Sequence, residues 1–164
     1  MEKNILIVIV GPTAVGKTAL GIKVAKALGT VILSADSRQF YKEMEIGTAK
    51  PTDEERKMVP HYFVDTLHIA EEYNVGKYER EALELLENLF RNHRTVVLVG
   101  GSGLYVKALC EGIDEMPAID PGIRDRLNKE KEKNGLELLI ERLKKEDPEY
   151  AAIVDLNNPQ RVIR

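Results

Sequence analysis

The residues GPTAVGKT, at positions 11 to 18, combine glycines, a lysine and a threonine at a spacing that suits phosphate. Gly11 and Gly16 allow backbone N–H groups to turn inward around phosphate oxygens, and a helix beginning near Lys17 adds the positive end of its dipole. Lys17 supplies a mobile charge, and the Thr18 hydroxyl can ligate Mg²⁺. The loop fits G-x-x-x-x-G-K-[ST] in full, with an apolar run before it and a helical pattern after it. The sequence therefore predicts a phosphate-binding loop made of Gly11, Pro12, Thr13, Ala14, Val15, Gly16, Lys17 and Thr18.

Asp36 is the second candidate catalytic group, because it ends another apolar run, TVILSAD. A carboxylate at the end of a strand beside the loop can accept a proton from an acceptor substrate. The alternative is that Asp36 only caps the turn after its strand. The run TVVLVGG ends in glycines, and no acidic residue follows it before Glu111. Since nucleotide hydrolases of this type place a magnesium-binding carboxylate there, the sequence disfavours a motor or switch NTPase and leaves a small-molecule kinase open.

Four strands and several helices must position these groups. The apolar runs predict buried strands at residues 4 to 10, in TVILSAD and in TVVLVGG, with a weaker candidate in HYFVD at 61 to 65. Helical patterns extend to about Leu28, over VGKYEREALELLENLFRNHR, and from Leu104 to about Cys110. Alternating strands and helices predict a parallel α/β sheet, whose ligand site lies at the carboxyl ends of the strands. We therefore expect residues 11–18, 36–41 and 100–105 to converge on one edge.

The sequence changes in character after Pro117. Two charged helices are predicted, from Asp120-Pro121 to about Asn134 and from Leu136 to about Glu146. We divide the chain into an α/β core at 1–115, a helical insertion at 116–157, and the start of a helix returning to the core at 158–164. The insertion is interpreted as a lid or partner-binding module, with a solvated helical hairpin as the alternative.

Composition limits the function classes. The chain has 164 residues, 43% of them hydrophobic, a net charge of -3 and a pI near 5.7, so any nucleic-acid contact must be a local patch. No signal peptide or membrane span is evident, which favours a cytoplasmic protein without membrane contact. Cys110 is the only cysteine and is interpreted as a small buried apolar residue. His61, His68 and His93 have no metal-ligand spacing, and Lys50 either approaches phosphate or RNA or is an exposed loop lysine.

Six motifs in order give the sequence a family resemblance: GPTAVGKT, SADSRQFY, EIGTAKPTDEE, PHYFVD, GGSGLY and NNPQRVIR. Together they closely resemble the bacterial tRNA dimethylallyltransferases, also called tRNA isopentenyltransferases, over nearly all 164 residues. The resemblance implies a P-loop NTPase-like, three-layer α/β core with a parallel sheet and a helical insertion. It implies transfer of a dimethylallyl group from dimethylallyl diphosphate to the exocyclic amine of the adenosine beside the anticodon. Thr13 to Thr18 would hold the diphosphate, Lys17 and Thr18 with Mg²⁺ would stabilise its charge, and Asp36 would be the general base.

The same resemblance implies contacts with the anticodon stem-loop of tRNA. These contacts would come from Asp36, Ser37, Arg38, Gln39, Ser102, Arg124, Gln160, Arg161, Val162, Ile163 and Arg164. Ser102, where threonine is commoner in the family, has the alternative role of satisfying turn backbone groups, and Arg124 that of a solvated helix charge. Relatives continue beyond the position of Arg164, so we expect this chain to be part of a longer protein, acting as a monomer.

Three rival hypotheses stay open on the sequence. An adenylate isopentenyltransferase would perform the same chemistry on a free nucleotide, although the helical region 116–157 disfavours it. A P-loop small-molecule kinase would bind ATP in the loop and use Asp36 to activate an acceptor hydroxyl. A catalytically silent RNA-binding fragment is the third.

Overall fold

Four parallel strands form the sheet of this protein, in a computed structural model that describes residues 3–113 and 120–164. The strands are β1 (Ile5–Val10), β2 (Ile32–Ser34), β3 (His61–Tyr62) and β4 (Thr95–Gly100), in the spatial order β1-β4-β2-β3. Every neighbouring pair is parallel. Their carboxyl ends therefore lie at one edge of the sheet, as the alternation of strands and helices predicted.

Helices cover both faces of this sheet. They are α1 (Lys17–Leu28), α2 (Asp53–Met58), α3 (Val75–Leu89) and α4 (Gly103–Glu111). Because side chains alternate along a strand, Ile32 and Val97 pack with α1 on one face, whereas Leu33 and Leu98 pack with α3 and α4 on the other. The predicted three-layer α/β core is confirmed.

A glycine inside α1 explains how closely this helix approaches the sheet. A Cβ added at Gly21 would lie 2.6 Å from Cγ2 of Val99 on β4, which is closer than real Cβ contacts. Gly29, in the left-handed conformation with φ of 60°, then ends the helix where the sequence predicted its stop. The N-terminus of α1 is thereby held at the edge of the sheet where the strands end.

The prediction that β1 is buried on both faces was wrong. Ile5 is 44% exposed and Val10 is 58% exposed. Within the described residues β1 pairs with β4 alone and is an edge strand. A run of aliphatic residues indicates a strand, but it does not reveal how many neighbours that strand has.

Two short elements and one cysteine also differ from the predictions. The strand expected over residues 61–65 is limited to His61–Tyr62. The helix α2 was not predicted, although Thr52 and Glu55 form a capping box at its start. Cys110 is exposed, so its interpretation as a buried residue was wrong. No helix within 3–113 and 120–164 is long and apolar enough to cross a membrane.

The chain divides into two compact units, Met1–Asp114 and Glu115–Arg164. The second contains α5 (Pro121–Asn134), α6 (Glu137–Glu146), α7 (Pro148–Ile153) and α8 (Pro159–Ile163). Helices α7 and α8 both contact α6, and Leu139, Ala151 and Val162 are buried. The two predicted charged helices are confirmed, and α7 was not predicted. The boundary expected at 115/116 and the change at Pro117 lie outside the described residues, and a return of 158–164 to the core stays a prediction.

Candidate functional site

A pocket of about 360 Å³ lies at the carboxyl edge of the sheet. We call it the phosphate-loop pocket. Its lining combines the loop before α1, the segment after β2, the turn after β4, and the segment that leads into α2 and β3. It brings together the predicted residues Thr13, Ala14, Gly16, Lys17, Thr18, Asp36 and Gln39.

The loop has the backbone conformation that anion binding requires. Ala14 has φ of 64° and Gly16 has φ of 90°, so two left-handed residues lie two positions apart. Such alternation turns successive N–H groups toward the concave side of a loop. The Lys17 ammonium folds back and donates a hydrogen bond to the Pro12 carbonyl at 2.6 Å. The loop is therefore preformed, with its lysine held at its mouth.

The Asp36 carboxylate uses its two oxygens differently. Oδ1 accepts a hydrogen bond from the Arg38 N–H at 3.1 Å and so caps the turn after β2. A Cβ added at Gly101 would lie 3.7 Å from Asp36 Oδ2 and 3.9 Å from Lys17 Nζ. Oδ2 and the lysine charge thus border the same small space beside Gly101. The capping role and a role as proton acceptor are compatible for Asp36 because each role uses a different oxygen.

Ser102 joins the turn after β4 to the turn after β2. The Ser37 N–H donates to Ser102 Oγ at 3.0 Å, and the Ser102 hydroxyl donates to Ser37 Oγ at 3.2 Å. The Ser102 N–H also donates to the Ala35 carbonyl at 3.2 Å. Ser102 satisfies backbone groups of the turn that carries Asp36, which is the alternative considered for it from the sequence, and its contact with tRNA stays a prediction.

Gln39 is buried, and its amide is fully engaged within the protein. Its Oε1 accepts from the Ser34 hydroxyl at 2.9 Å, and its Nε2 donates to the carbonyls of Thr48 and Ala49 at 3.2 and 3.1 Å. The amide orientation is the one that this hydrogen-bond network assigns. Gln39 therefore fixes the 48–49 segment as one wall of the pocket, and the expected contact of Gln39 with tRNA stays a prediction.

An ion-pair network that the sequence did not predict supports the same wall. Lys50 Nζ lies 2.5 Å from Asp65 Oδ1 and donates to the Tyr41 carbonyl at 2.7 Å, and Arg56 pairs with Asp65 Oδ2. Burial alone would raise the pKa of Asp65, but hydrogen bonds from Lys50 and Arg56 hold that pKa below its usual value. The Lys50 side chain is 9% exposed, so the alternative of an exposed loop lysine was wrong, whereas an approach of Lys50 to phosphate or RNA stays a prediction.

His61 places a neutral acceptor at the pocket lining. Its Nδ1 lies 2.7 Å from the Val59 carbonyl and therefore carries the proton. Its Nε2 is buried and has no hydrogen-bond partner in the described part of the chain. Burial lowers the pKa of this imidazole below its ordinary value, so the ring is neutral near pH 7. No role was predicted for His61, because nothing in its spacing indicated where the ring would lie.

The remaining candidate residues belong to the second unit. Arg124 is exposed on α5, whereas Gln160, Arg161, Val162 and Ile163 lie on α8 and Arg164 follows it. Arg161 and Arg164 are exposed, but Val162 is buried. The Asn158 side chain caps α8 by accepting from the N–H groups of Gln160 and Arg161. A contact of these residues with tRNA stays a prediction, and Val162 serves packing.

The predicted Mg²⁺ site has a single protein ligand, the Thr18 hydroxyl. Among the described residues no group of three or more His, Cys, Asp or Glu could hold a metal ion. Thr18 lines the pocket beside Lys17. A single hydroxyl suits Mg²⁺, which keeps several waters and is bound mainly through substrate phosphates rather than by a protein cage. Thr18 therefore fits the metal, and its binding stays a prediction.

Comparison with known proteins places these features in a family. The family model described as IPP transferase matches residues 39–164. This chain belongs to the IPP transferase family. It is 56% identical over 159 residues to a tRNA dimethylallyltransferase of Cytophaga hutchinsonii, covering 97% of this chain and 52% of that protein. It is 51% identical over 158 residues to tRNA dimethylallyltransferase 1 of Bacteroides thetaiotaomicron, covering 96% of this chain and 51% of that protein. The chain thus spans about half the length of the curated relatives it matches.

Solved structures agree with the family assignment. A full-length tRNA isopentenylpyrophosphate transferase from Bacillus halodurans matches 100% of this chain and 54% of its own, with 39% identity and a TM-score of 0.66. A eukaryotic dimethylallyltransferase acting on tRNA matches 99% of this chain and 40% of its own, with 27% identity and a TM-score of 0.80. The P-loop NTPase-like fold expected from the motifs is confirmed by these similarities.

Proposed function

We propose that the protein transfers a dimethylallyl group from dimethylallyl diphosphate to the exocyclic amine of the adenosine next to the anticodon of tRNA, releasing diphosphate. The observation that carries this proposal is the common space that Asp36 Oδ2 and Lys17 Nζ border beside Gly101. A phosphate-binding charge and a proton acceptor in one pocket suit group transfer from a diphosphate. The names of the relatives, tRNA dimethylallyltransferases, support this choice of donor and acceptor.

The chemistry requires charge stabilisation at the leaving group, because an aromatic amine is a weak nucleophile. The amine nitrogen forms a bond to the allylic carbon while the bond from that carbon to the diphosphate oxygen breaks, so negative charge grows on the diphosphate. Lys17 and the N–H groups of the loop stabilise this charge more in the transition state than in the ground state. The proton lost by the amine goes to Asp36 Oδ2. When bound at Thr18, Mg²⁺ would neutralise part of the diphosphate charge.

The acceptor base must leave its stack to reach Asp36, as for other enzymes that act on a base. Bases of a single-stranded loop cost least to extract, which favours an anticodon loop. Arg38 lies two positions after Asp36 and is exposed, so it is available for RNA. We also propose that the exposed Arg124, Arg161 and Arg164 contact phosphates of the RNA. The protein acts as a monomer in the cytoplasm.

Prenyl transfer by the intact protein tests this function. Labelled dimethylallyl diphosphate is offered with bulk tRNA or with free AMP, and unlabelled ATP is added as a competitor. We expect label in tRNA only, and no competition by ATP. Label in AMP alone would favour the adenylate isopentenyltransferase, and tight ATP binding without transfer would favour the kinase. Binding of tRNA without any transfer would leave only an RNA-binding role.

Two isosteric variants separate the proposed roles. Asp36→Asn retains an acceptor oxygen for the Arg38 N–H but cannot take a proton, so we expect transfer to fall by about 100-fold or more while diphosphate binding is unchanged. Lys17→Met should weaken the binding of inorganic diphosphate directly. Glu87→Gln on α3 and Lys23→Met on α1 are the matched controls, because both side chains are exposed away from the pocket. Normal transfer by Asp36→Asn would remove Asp36 from the mechanism.

A further inference from the structure

The three glycines of GGSG, which begins with the last residue of β4, have different physical surroundings. A Cβ added at Gly100 would lie 2.5 Å from the Ala35 carbonyl oxygen and 2.7 Å from Ala35 Cβ, so close packing of the strand ends requires glycine there. A Cβ added at Gly103 would meet no atom within 4 Å. Gly100 is therefore structural, whereas Gly103 is free to carry a side chain.

Gly101 is neither required by close packing, as Gly100 is, nor free of neighbouring atoms, as Gly103 is. It is not among the residues with a positive φ, so its backbone does not require glycine. Its two nearest atoms outside the chain neighbours are Asp36 Oδ2 at 3.7 Å and Lys17 Nζ at 3.9 Å, both at ordinary van der Waals distance. A methyl group would therefore fit at Gly101 without moving the protein. The space that it would fill is the space between the proposed base and the proposed phosphate-binding charge.

We propose that Gly101, because it lacks a side chain, keeps open the gap between the Asp36 carboxylate and the Lys17 ammonium for the reacting atoms. This inference rests on the proposed function. The leaving oxygen is held by Lys17 and the loop, and the amine must lie within reach of Asp36. The allylic carbon moves from the leaving oxygen to the amine, so it is confined to the region between Lys17 and Asp36, beside Gly101.

The proposal gives the second glycine of the turn a role in catalysis rather than in folding. Reacting atoms must approach to about 3–3.5 Å, and a displacement of about 1 Å can cost about 100-fold in rate. A methyl group at position 101 would contact both the Asp36 carboxylate and the Lys17 ammonium, and would therefore displace a substrate atom of similar size. Inorganic diphosphate has no atoms beyond the leaving oxygens, so its binding should not be affected.

Three alanine variants of the intact protein test this inference. Gly101→Ala should unfold at the wild-type temperature or slightly above it, since alanine at an unstrained position restricts the unfolded chain. It should bind inorganic diphosphate as the wild type does, bind dimethylallyl diphosphate more weakly, and transfer the prenyl group with kcat/KM lowered by about 100-fold. Gly103→Ala should likewise unfold at the wild-type temperature or slightly above it, and should match the wild type in binding and transfer. Gly100→Ala should unfold at a clearly lower temperature.

The outcomes separate the inference from the proposed function. Normal transfer by both the wild type and Gly101→Ala would overturn the inference alone, because the gap would then tolerate a methyl group. A drop in unfolding temperature for Gly101→Ala as large as that for Gly100→Ala would also overturn it, since the glycine would then be structural. No transfer by the wild-type protein would overturn the proposed function and the inference with it.

Discussion

The Ser102 hydroxyl accepts a hydrogen bond from the Ser37 backbone N–H at 3.0 Å, although the two residues are 65 positions apart in the chain. Ser37 directly follows Asp36, so this bond ties the turn after β4 to the residue proposed as the base. The same hydroxyl donates to Ser37 Oγ at 3.2 Å. The position of Asp36 thus depends on a side chain that follows a different strand.

Ser102→Ala should lower the rate of transfer by reducing kcat. Loss of the hydroxyl leaves the Ser37 N–H without its partner, which should also lower the free energy of unfolding by about 1 kcal/mol. Ser102→Thr retains the hydroxyl and is the matched control, with near-normal kcat expected. Steady-state kinetics with varied tRNA checks this. A rise in KM for tRNA with unchanged kcat would indicate that Ser102 contacts RNA and does not position Asp36.

Gln39→Ala should destabilise the protein, because it leaves the carbonyls of Thr48 and Ala49 and the hydroxyl of Ser34 without their partner. The expected loss in free energy of unfolding is about 1–3 kcal/mol, measured by chemical denaturation. Arg38→Ala is the matched control, since the neighbouring Arg38 side chain is exposed. Equal stability of both variants, with weaker tRNA binding by Gln39→Ala, would contradict the structural role of this amide.

Lys50→Met should destabilise the protein by removing a cation from Asp65. The pair is partly exposed, at 9% for the Lys50 side chain and 28% for Asp65, so we expect a loss of about 1–3 kcal/mol rather than that of a fully buried pair. Lys57→Met, at an exposed lysine on α2, should have almost no effect. A double-mutant cycle with Asp65→Asn, followed by denaturation, measures the coupling. Additive losses would show that Lys50 and Asp65 do not stabilise each other.

The parts of the fold and site that the sequence predicted are those encoded locally. The phosphate loop is a contiguous motif, and the stop of α1 at Gly29 depends on one residue. The contacts of Gln39 with Thr48 and Ala49, and of Lys50 with Asp65, involve polar side chains whose spacing has no period, so no pattern indicated them. The edge position of β1 was missed for the same reason, since a strand's own residues do not record its neighbours.

Because the pKa of His61 differs between the folded and the unfolded chain, we predict that the protein loses stability on mild acidification. Burial lowers the pKa of His61 in the folded protein below its ordinary value of 6.5. Between these two pKa values the unfolded chain binds more protons than the folded one, so the free energy of unfolding falls as the pH drops below about 6.5. It levels off once the pH is below the folded pKa.

Denaturant midpoints between pH 7 and pH 5 measure this effect. His61→Asn keeps an N–H near the Val59 carbonyl but does not titrate, so its midpoint should change less with pH than that of the wild type. His93→Asn, at another half-buried histidine, should retain the wild-type dependence. The carboxylates Asp65 and Glu43 have lowered pKa values, so their contribution is lost only below about pH 5, at or beyond the acid end of this range. A full acid dependence in His61→Asn would show that another group takes up the proton on unfolding, and that the imidazole is not held neutral by burial.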